Sequence, residues 1–345
     1  MNLSSELRHN LDVNLDLRYQ LILGGGAFDS TSLEHRRLLW NKWKSSFNEK
    51  IIFKDRTFEN YNNKAKGKIK FDGFNFSNCS FLNFNFKGCS FNNSIFDGTI
   101  LEEVSFYDTE IIESSFISAK IKNSGFGFSQ LNKSNFKNTI IEDCRFSGCN
   151  MIESNFEYSV LDKVRFRSND MSKVNFNNVI MVKSTFFNVK LQYAILSKAE
   201  ITKSNFFAVD FRFADLEEAS FNLSRFVTNY IDRKWRFYDF DENFKEHNTI
   251  YCTRTSFSNS NCKKCSFVGA NFLNIDFYGT IFKNANLCNA KFSWTDLREA
   301  DLTSADLYNT TFNTSLLQKA KFINVVNCSL TNDQLIERGA IVWEN

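Results

Sequence analysis

His247, Cys252, Cys262 and Cys265 come nearest, in type and spacing, to reactive or metal-binding chemistry in this chain. Cys262-Lys263-Lys264-Cys265 has the two-residue gap of a zinc knuckle, and two thiolates near an imidazole suit zinc. Packing explains the same residues: Cys265 sits where small inward residues recur, and a free cysteine packs as a small hydrophobe. Packing is the reading adopted, with no metal and no cofactor assigned. Other chemistry is thinner. There are three histidines, His9, His35 and His247, and no GxSxG, HExxH or P-loop motif. Gly24-Gly25-Gly26 has neither Walker nor dinucleotide spacing and reads as a turn. No catalytic constellation emerges, so the expectation is a protein that is not an enzyme.

The elements that position these residues are set by a period of five. From Phe71 to Ile231 every fifth residue is Phe, Leu, Ile or Met, at 33 consecutive sites. The residue two before each site is usually small, as at Cys79, Ser94, Ala119, Ser134, Cys144, Val164 and Ala199. Five is neither the 3.6 of a helix nor the 2 of a flat strand, and a fixed period announces a repeat architecture. The composition agrees. Proline is absent, as expected where backbone N–H groups are used in ladders throughout.

Of 345 residues, 42 are Lys or Arg and 39 are Asp or Glu, a net charge of +3. That balance gives no reason to expect direct nucleic-acid binding. Cys79, Cys89, Cys144, Cys149 and Cys265 all fall at the small inward position, so the nine cysteines read as buried thiols of a reducing compartment. No stretch approaches the roughly 18 apolar residues of a membrane span. The start, MNLSSELRHN, lacks the layout of a cleaved secretory signal. A cytoplasmic protein is expected, with secretion by an uncleaved signal as the alternative.

Residues 1–68 lie outside the period and read as an N-terminal cap of mixed α/β type. Apolar residues at odd positions from Leu11 to Leu23 predict a half-buried strand. Thr31 followed by Glu34 predicts a capping box, with Leu39, Trp43 and Phe47 on one helical face. Such a cap would cover the exposed edge of the first coil. Lys64, Lys66, Lys68 and Lys70 then read as a solvated, edge-protecting run.

Segments such as GANFLNIDFYG, NANLCNAKF and READLTSADLYNT resemble the pentapeptide repeat family, A-(D/N)-L-x-x with Phe often replacing Leu. The resemblance covers residues 69–231 and 255–324. It implies an all-β solenoid, a right-handed quadrilateral β-helix of about 12 coils, with four pentads to each 20-residue coil. On that frame one face takes Phe86, Phe106, Phe126, Phe146, Phe166, Phe186, Phe206 and Phe226. The opposite face takes Phe76 to Phe176, then Leu196 and Leu216. Neighbouring coils about 4.8 Å apart allow these rings to stack as a structural ladder. Outside, Glu113, Lys133, Glu153 and Lys173 read as an alternating charge ladder, and Asn135, Asn155 and Asn175 as a stacked amide ladder. Ile100, Ile140, Val160 and Ile180 make an apolar outward column, interrupted by Lys120 and flanked by Val182, of the kind that marks a contact surface.

The register breaks after Ile231 and returns, shifted by one, at Phe257. The intervening 232–254 segment is rich in aromatics and balanced in charge. Arg233, Trp235, Arg236, Phe237, Tyr238 and Phe240 are candidates for partner binding, since Trp, Tyr and Arg dominate contact hot spots. A second array runs to residue 324. Residues 325–345 read as a capping helix and tail, with a Thr331/Gln334 capping box and Gly339 as C′. The resemblance implies that such a tail can build a homodimer.

The function expected is a non-catalytic scaffold, a rigid β-helical protein that binds a protein partner through the insertion and outer faces. Two alternatives stand beside it. One is protection of a type II topoisomerase by DNA mimicry, a role the resemblance brings. It needs an acidic face, whereas residues 69–231 hold 17 basic and 18 acidic residues. The other is a secreted bacterial effector of the same family.

Overall fold

The computed structural model describes residues 18, 21–22, 32–46, 51–59, 69–227 and 255–343. Gly24–Gly26, Phe47, Lys64, Lys66, Lys68 and Ile231 lie outside them, as do His247, Cys252 and the insertion candidates from Arg233 to Phe240. The chain divides into two compact units, Met1–Ile180 and Met181–Asn345.

In the first unit short parallel strands recur at a register of twenty. Ser105 pairs with Gly125, Gly125 with Arg145 and Arg145 with Arg165. Isolated bridges carry the same register on other sides of the coil, as at Asn75, Ile95, Ser115 and Asn135. Four pentads therefore make one coil, and the fold is a four-sided parallel β-helix. The centre of each pentad and the residue two before it point inward. Phe96, Phe106, Phe116, Leu101 and Ile111 are fully buried, as are Cys79 and Ala119. The residue two after each centre takes the left-handed conformation, as at Asn93 (φ 56°) and Lys133 (φ 56°). On two sides that corner closes with a backbone turn, Thr99 N–H to the Phe96 carbonyl at 3.1 Å for instance.

The other two corners are closed by side chains of the next coil. The Val104 N–H donates to Ser124 Oγ (3.0 Å), and the Cys149 N–H to Asn169 Oδ1 (2.8 Å). Inward hydroxyls also donate down the stack, Ser94 to the Phe71 carbonyl at 2.7 Å and Ser114 to that of Phe91 at 2.6 Å. Where the small inward residue is Ser, Thr or Asn it does more than fit, because it satisfies backbone groups that the corner leaves unpaired; Ala119 and Val164 fill the position by size alone.

The phenylalanine ladders form as expected. Phe106, Phe126 and Phe146 stack at 4.9 and 4.7 Å, and Phe116, Phe136 and Phe156 at 4.7 Å each. The ladders meet edge-on across the core, Phe126 against Phe136 at 6.4 Å and 89°. Offset stacks along the axis and edge contacts across it both suit the ring quadrupole.

Two N-terminal expectations change. Arg18, Leu21 and Ile22, the described part of the anticipated strand, are helical. Leu and Arg are good helix formers, and Leu17 and Leu21 also fit an i,i+4 spacing that the alternation concealed. Helix α1, Leu33–Lys44, is capped by Ser32 rather than Thr31, its side chain accepting from the His35 N–H. A strand does occur at Ile52–Glu59, where it pairs with Ser80–Lys87 and places Phe53 on Phe81 at 4.8 Å.

Helix α1 closes the first coil. In later coils a residue such as Ile95 uses its N–H and carbonyl to bond the coil before. Asn75 has no such coil, and its N–H donates to Asn41 Oδ1 (2.8 Å) while its carbonyl accepts from Trp40 Nε1 (2.6 Å). Asn41 Nδ2 also reaches the Gly73 carbonyl at 2.9 Å. Trp40, absent from the sequence expectation, is fully buried against Phe76.

The second unit repeats the architecture: Thr185 pairs with Asn205, and Asn205 with Arg225. Arg225 then pairs with Asn271, 46 residues on instead of 20. Phe257 stacks on Phe211 at 4.5 Å, the place that a count in fives assigns to Ile231. The one-residue shift of register follows, since the excess over 20 is not a multiple of five. At the C-terminus helix α2, Asn332–Glu337, carries the Thr331/Gln334 capping box. Arg338 donates to the carbonyls of Phe312 (3.0 Å) and Ser315 (2.6 Å), and Ile341 bridges to Lys321.

Candidate interaction surface

Cys262 and Cys265 are both fully buried inside the second unit. The Cys265 thiol donates to the Leu216 carbonyl at 2.7 Å, and Cys262 lies 3.5 Å from Ser260 Oγ. Burial, with the neighbouring Cys262 second, pushes the Cys265 thiol up. Among the described residues no group of three or more His, Cys, Asp or Glu is placed to hold a metal ion. Burial likewise pushes the thiols of Cys79, Cys144 and Cys149 up to about 12. A thiol held neutral at physiological pH is a poor nucleophile. The described cysteines are all free.

What the described residues offer a partner lies outside the coil. Ile140, Val160 and Ile180 are 39%, 37% and 42% exposed, and Ile100 is half-buried. Register puts them in one column: Ile100 pairs with Lys120, Lys120 with Ile140, and Ile140 with Val160. The Ile180 N–H then donates to the Ser159 carbonyl. Val182 is half-buried.

The charge ladder pairs two by two, Lys133 with Glu113 at 3.6 Å and Lys173 with Glu153 at 3.1 Å. The asparagine column differs from expectation. Asn135, Asn155 and Asn175 each accept the N–H two residues on, at 3.1, 3.0 and 3.0 Å. These are Asx-type turns that hold each coil's own corner, a local bond that competes with a ladder between coils.

A third feature escaped the reading in fives. Arg145 and Arg165 are exposed and stacked directly in register, with Arg167 on the same strand as Arg165. Reading this outer column at a period of twenty would have exposed the pair.

A chain of this geometry is a repeat protein of the four-sided β-helix class, its interior filled by its own side chains. Family models describing pentapeptide repeats match residues 70–108, 184–222 and 255–326, and a model of the pentapeptide repeat region matches 119–196. Together these span more than half of the sequence, and the chain belongs to the pentapeptide repeat family. No curated protein matches it in sequence.

Solved structures with similarity include HetL from the cyanobacterium Nostoc, a pentapeptide repeat protein involved in heterocyst differentiation regulation. It is 16% identical, with 79% of this chain and 90% of that chain covered and a TM-score of 0.39. QnrB1, a plasmid-mediated fluoroquinolone resistance protein, is 16% identical over 68% and 96% of the two chains, with a TM-score of 0.33. Rfr23 from the cyanobacterium Cyanothece is 13% identical over 35% and 93%, with a TM-score of 0.21. Among the described residues no helix is long and apolar enough to cross a membrane.

Proposed function

We propose that this protein is a non-catalytic scaffold that binds a protein partner through its outer faces. The apolar column of Ile140, Val160 and Ile180 carries the reading. Three β-branched side chains stacked on successive coils form a contiguous strip about 10 Å long. Their exposure brings no folding benefit, and burying such a strip is a source of binding energy. The insertion, with Arg233, Trp235, Arg236, Phe237, Tyr238 and Phe240, is proposed as a second contact on its composition.

Imitation of DNA before a topoisomerase would need a face dense in carboxylates. The described faces instead pair acids with lysines, as Glu153 with Lys173 and Asp143 with Lys163. The chemistry favoured is therefore apolar. The test is affinity capture from native lysate with wild type, an I140K/V160K/I180K variant and a deletion of residues 233–250. A specific partner lost with the triple variant is expected. Capture unchanged by the triple variant removes the column from the reading, and a gyrase supercoiling assay with quinolone then examines the alternative directly.

A further inference from the structure

We propose that the outer face built on Phe86, Phe106, Phe126, Phe146 and Phe166 docks an acidic, extended segment of a partner protein. This face is separate from the apolar column, and the inference stands without it. Its outward residues, one before and one after each phenylalanine, include Lys87, Arg145, Arg165 and Arg167 and no acid. The other three faces of the same coils each carry acids: Asp72, Glu110 and Asp170 on one, Asp97 and Glu157 on the next, Glu102, Glu142 and Asp162 on the third.

Elsewhere the first unit answers charge with charge between coils, as in Glu113 with Lys133, Asp143 with Lys163 and Lys137 with Glu157. Here Arg145 lies in register with Arg165, and among the described residues neither makes an ion pair. Like charges directly opposite on neighbouring strands cost stability. Folding alone favours an acid at one of the two positions, and an external anion removes the conflict.

The rest of the face is shaped for contact. A Cβ at Gly125, below Arg145, would meet nothing within 4 Å. The Tyr107 ring lies against Gly127 and the Phe128 ring against Gly148. The two rings are 5.5 Å apart and 44% and 42% exposed. The surface thus carries an aromatic patch at Tyr107 and Phe128, with Lys87 over the Tyr107 ring, and a cationic patch at Arg145 and Arg165. Arg165 and Arg167 project from one strand two residues apart, about 6.7 Å, which is the spacing of alternate side chains on an extended segment. The exposed Arg165 guanidinium can donate bidentately to one carboxylate. The bordering corners mix the acids Glu103, Asp108 and Asp143 with Lys163, so positive charge is confined to a few arginines and gives no continuous track for a polyphosphate. Discrete carboxylates set among apolar residues fit better than nucleic acid.

The test uses the full chain and a fluorescein-labelled synthetic peptide alternating aspartate with threonine and ending in phenylalanine, followed by anisotropy. Wild type is expected to bind in a salt-dependent way, and R145E/R165E at least about tenfold more weakly. K133E, a reversal on another face, should leave affinity unchanged. R145E alone sets a carboxylate beneath Arg165, so its melting temperature should hold or rise. Equal binding by wild type and R145E/R165E, or an equal loss in K133E, overturns the proposal. A fall in melting temperature that accompanies lost binding assigns the arginines a structural role and overturns it too. Tighter, arginine-dependent binding of single-stranded oligothymidylate makes nucleic acid the occupant and does the same.

Discussion

Replacing Phe226 with alanine tests whether the ring ladders carry the energy that their geometry suggests. Phe226 is fully buried, stacked on Phe206 at 4.7 Å and 7° and on Phe272 at 5.2 Å and 27°. It also meets Phe211, Phe221, Phe257 and Phe267 edge-on. Phe312 ends the same column in the same unit. It is 5% exposed, with one stacked neighbour, Phe292 at 5.3 Å, and one edge contact, Phe322. Truncating a buried phenylalanine costs about 3–5 kcal/mol, and an aromatic pair is worth about 0.5–1.5 kcal/mol beyond its area.

Phe226→Ala is therefore expected at the top of that range, near 5 kcal/mol, and Phe312→Ala near 3 kcal/mol. The Phe226–Phe272 stack also joins coils whose paired strands are 46 residues apart in sequence instead of 20. Urea titration followed by circular dichroism gives the two costs. Native-state hydrogen exchange gives their location, because a solenoid stabilises coil by coil through neighbours. Amides on both sides of the junction, such as those of Arg225 and Asn271, should exchange faster in Phe226→Ala. An equal cost for the two variants, or a larger one at Phe312, would refute the ladder argument.

Two further outcomes follow from the edges and the thiols. Asn41→Ala leaves the Asn75 N–H and the Gly73 carbonyl without their partners, at a cost of about 1–2 kcal/mol, and the Asn75 amide should lose its protection. The raised thiols of Cys79, Cys144 and Cys149 bind protons more tightly folded than unfolded. Stability from this source is complete below the unfolded value near 9. It falls between there and about 12, by about 1.4 kcal/mol per pH unit for each thiol. Alkaline denaturation of wild type against Cys144→Ala measures the slope, which should be shallower in the variant, and equal slopes would contradict it.

The five-residue period made the solenoid legible because its core has one demand, repeated: a large apolar centre and a small residue two before it. Phe126 and Cys144 satisfy that demand without reference to any distant residue. The polarity of the small position was legible too, in Ser94, Ser114, Ser124 and Ser129, but size alone was read from it. The helix over Leu33–Lys44 was legible from its apolar face, but the helical state of Arg18, Leu21 and Ile22 was not, nor the role of Trp40, which answers to a tertiary surface, the bare edge of the first coil. That edge needs side chains that can bond Asn75, and no local propensity encodes such a need. The asparagine column misled for the opposite reason: the stack of Asn135, Asn155 and Asn175 exists, but a bond two residues away outcompetes one to the next coil.

In a four-sided coil two residues of each pentad are committed to the interior, and one more must accept a positive φ. The remaining two, before and after each centre, are constrained only by their neighbours one coil above and below. Those neighbours prefer opposite charges or matched apolar surfaces, so a column obeying the preference says little about anything outside the protein. Lys137 with Glu157 obeys it. Arg145 beneath Arg165 does not, and the Ile140, Val160 and Ile180 column obeys it while still leaving apolar surface exposed. A column that departs from the preference, or that leaves apolar surface exposed, is therefore where the proposed partner contacts are sought. Repeating the same comparison at period twenty over every outward column separates the violations from the ladders without any knowledge of the partner.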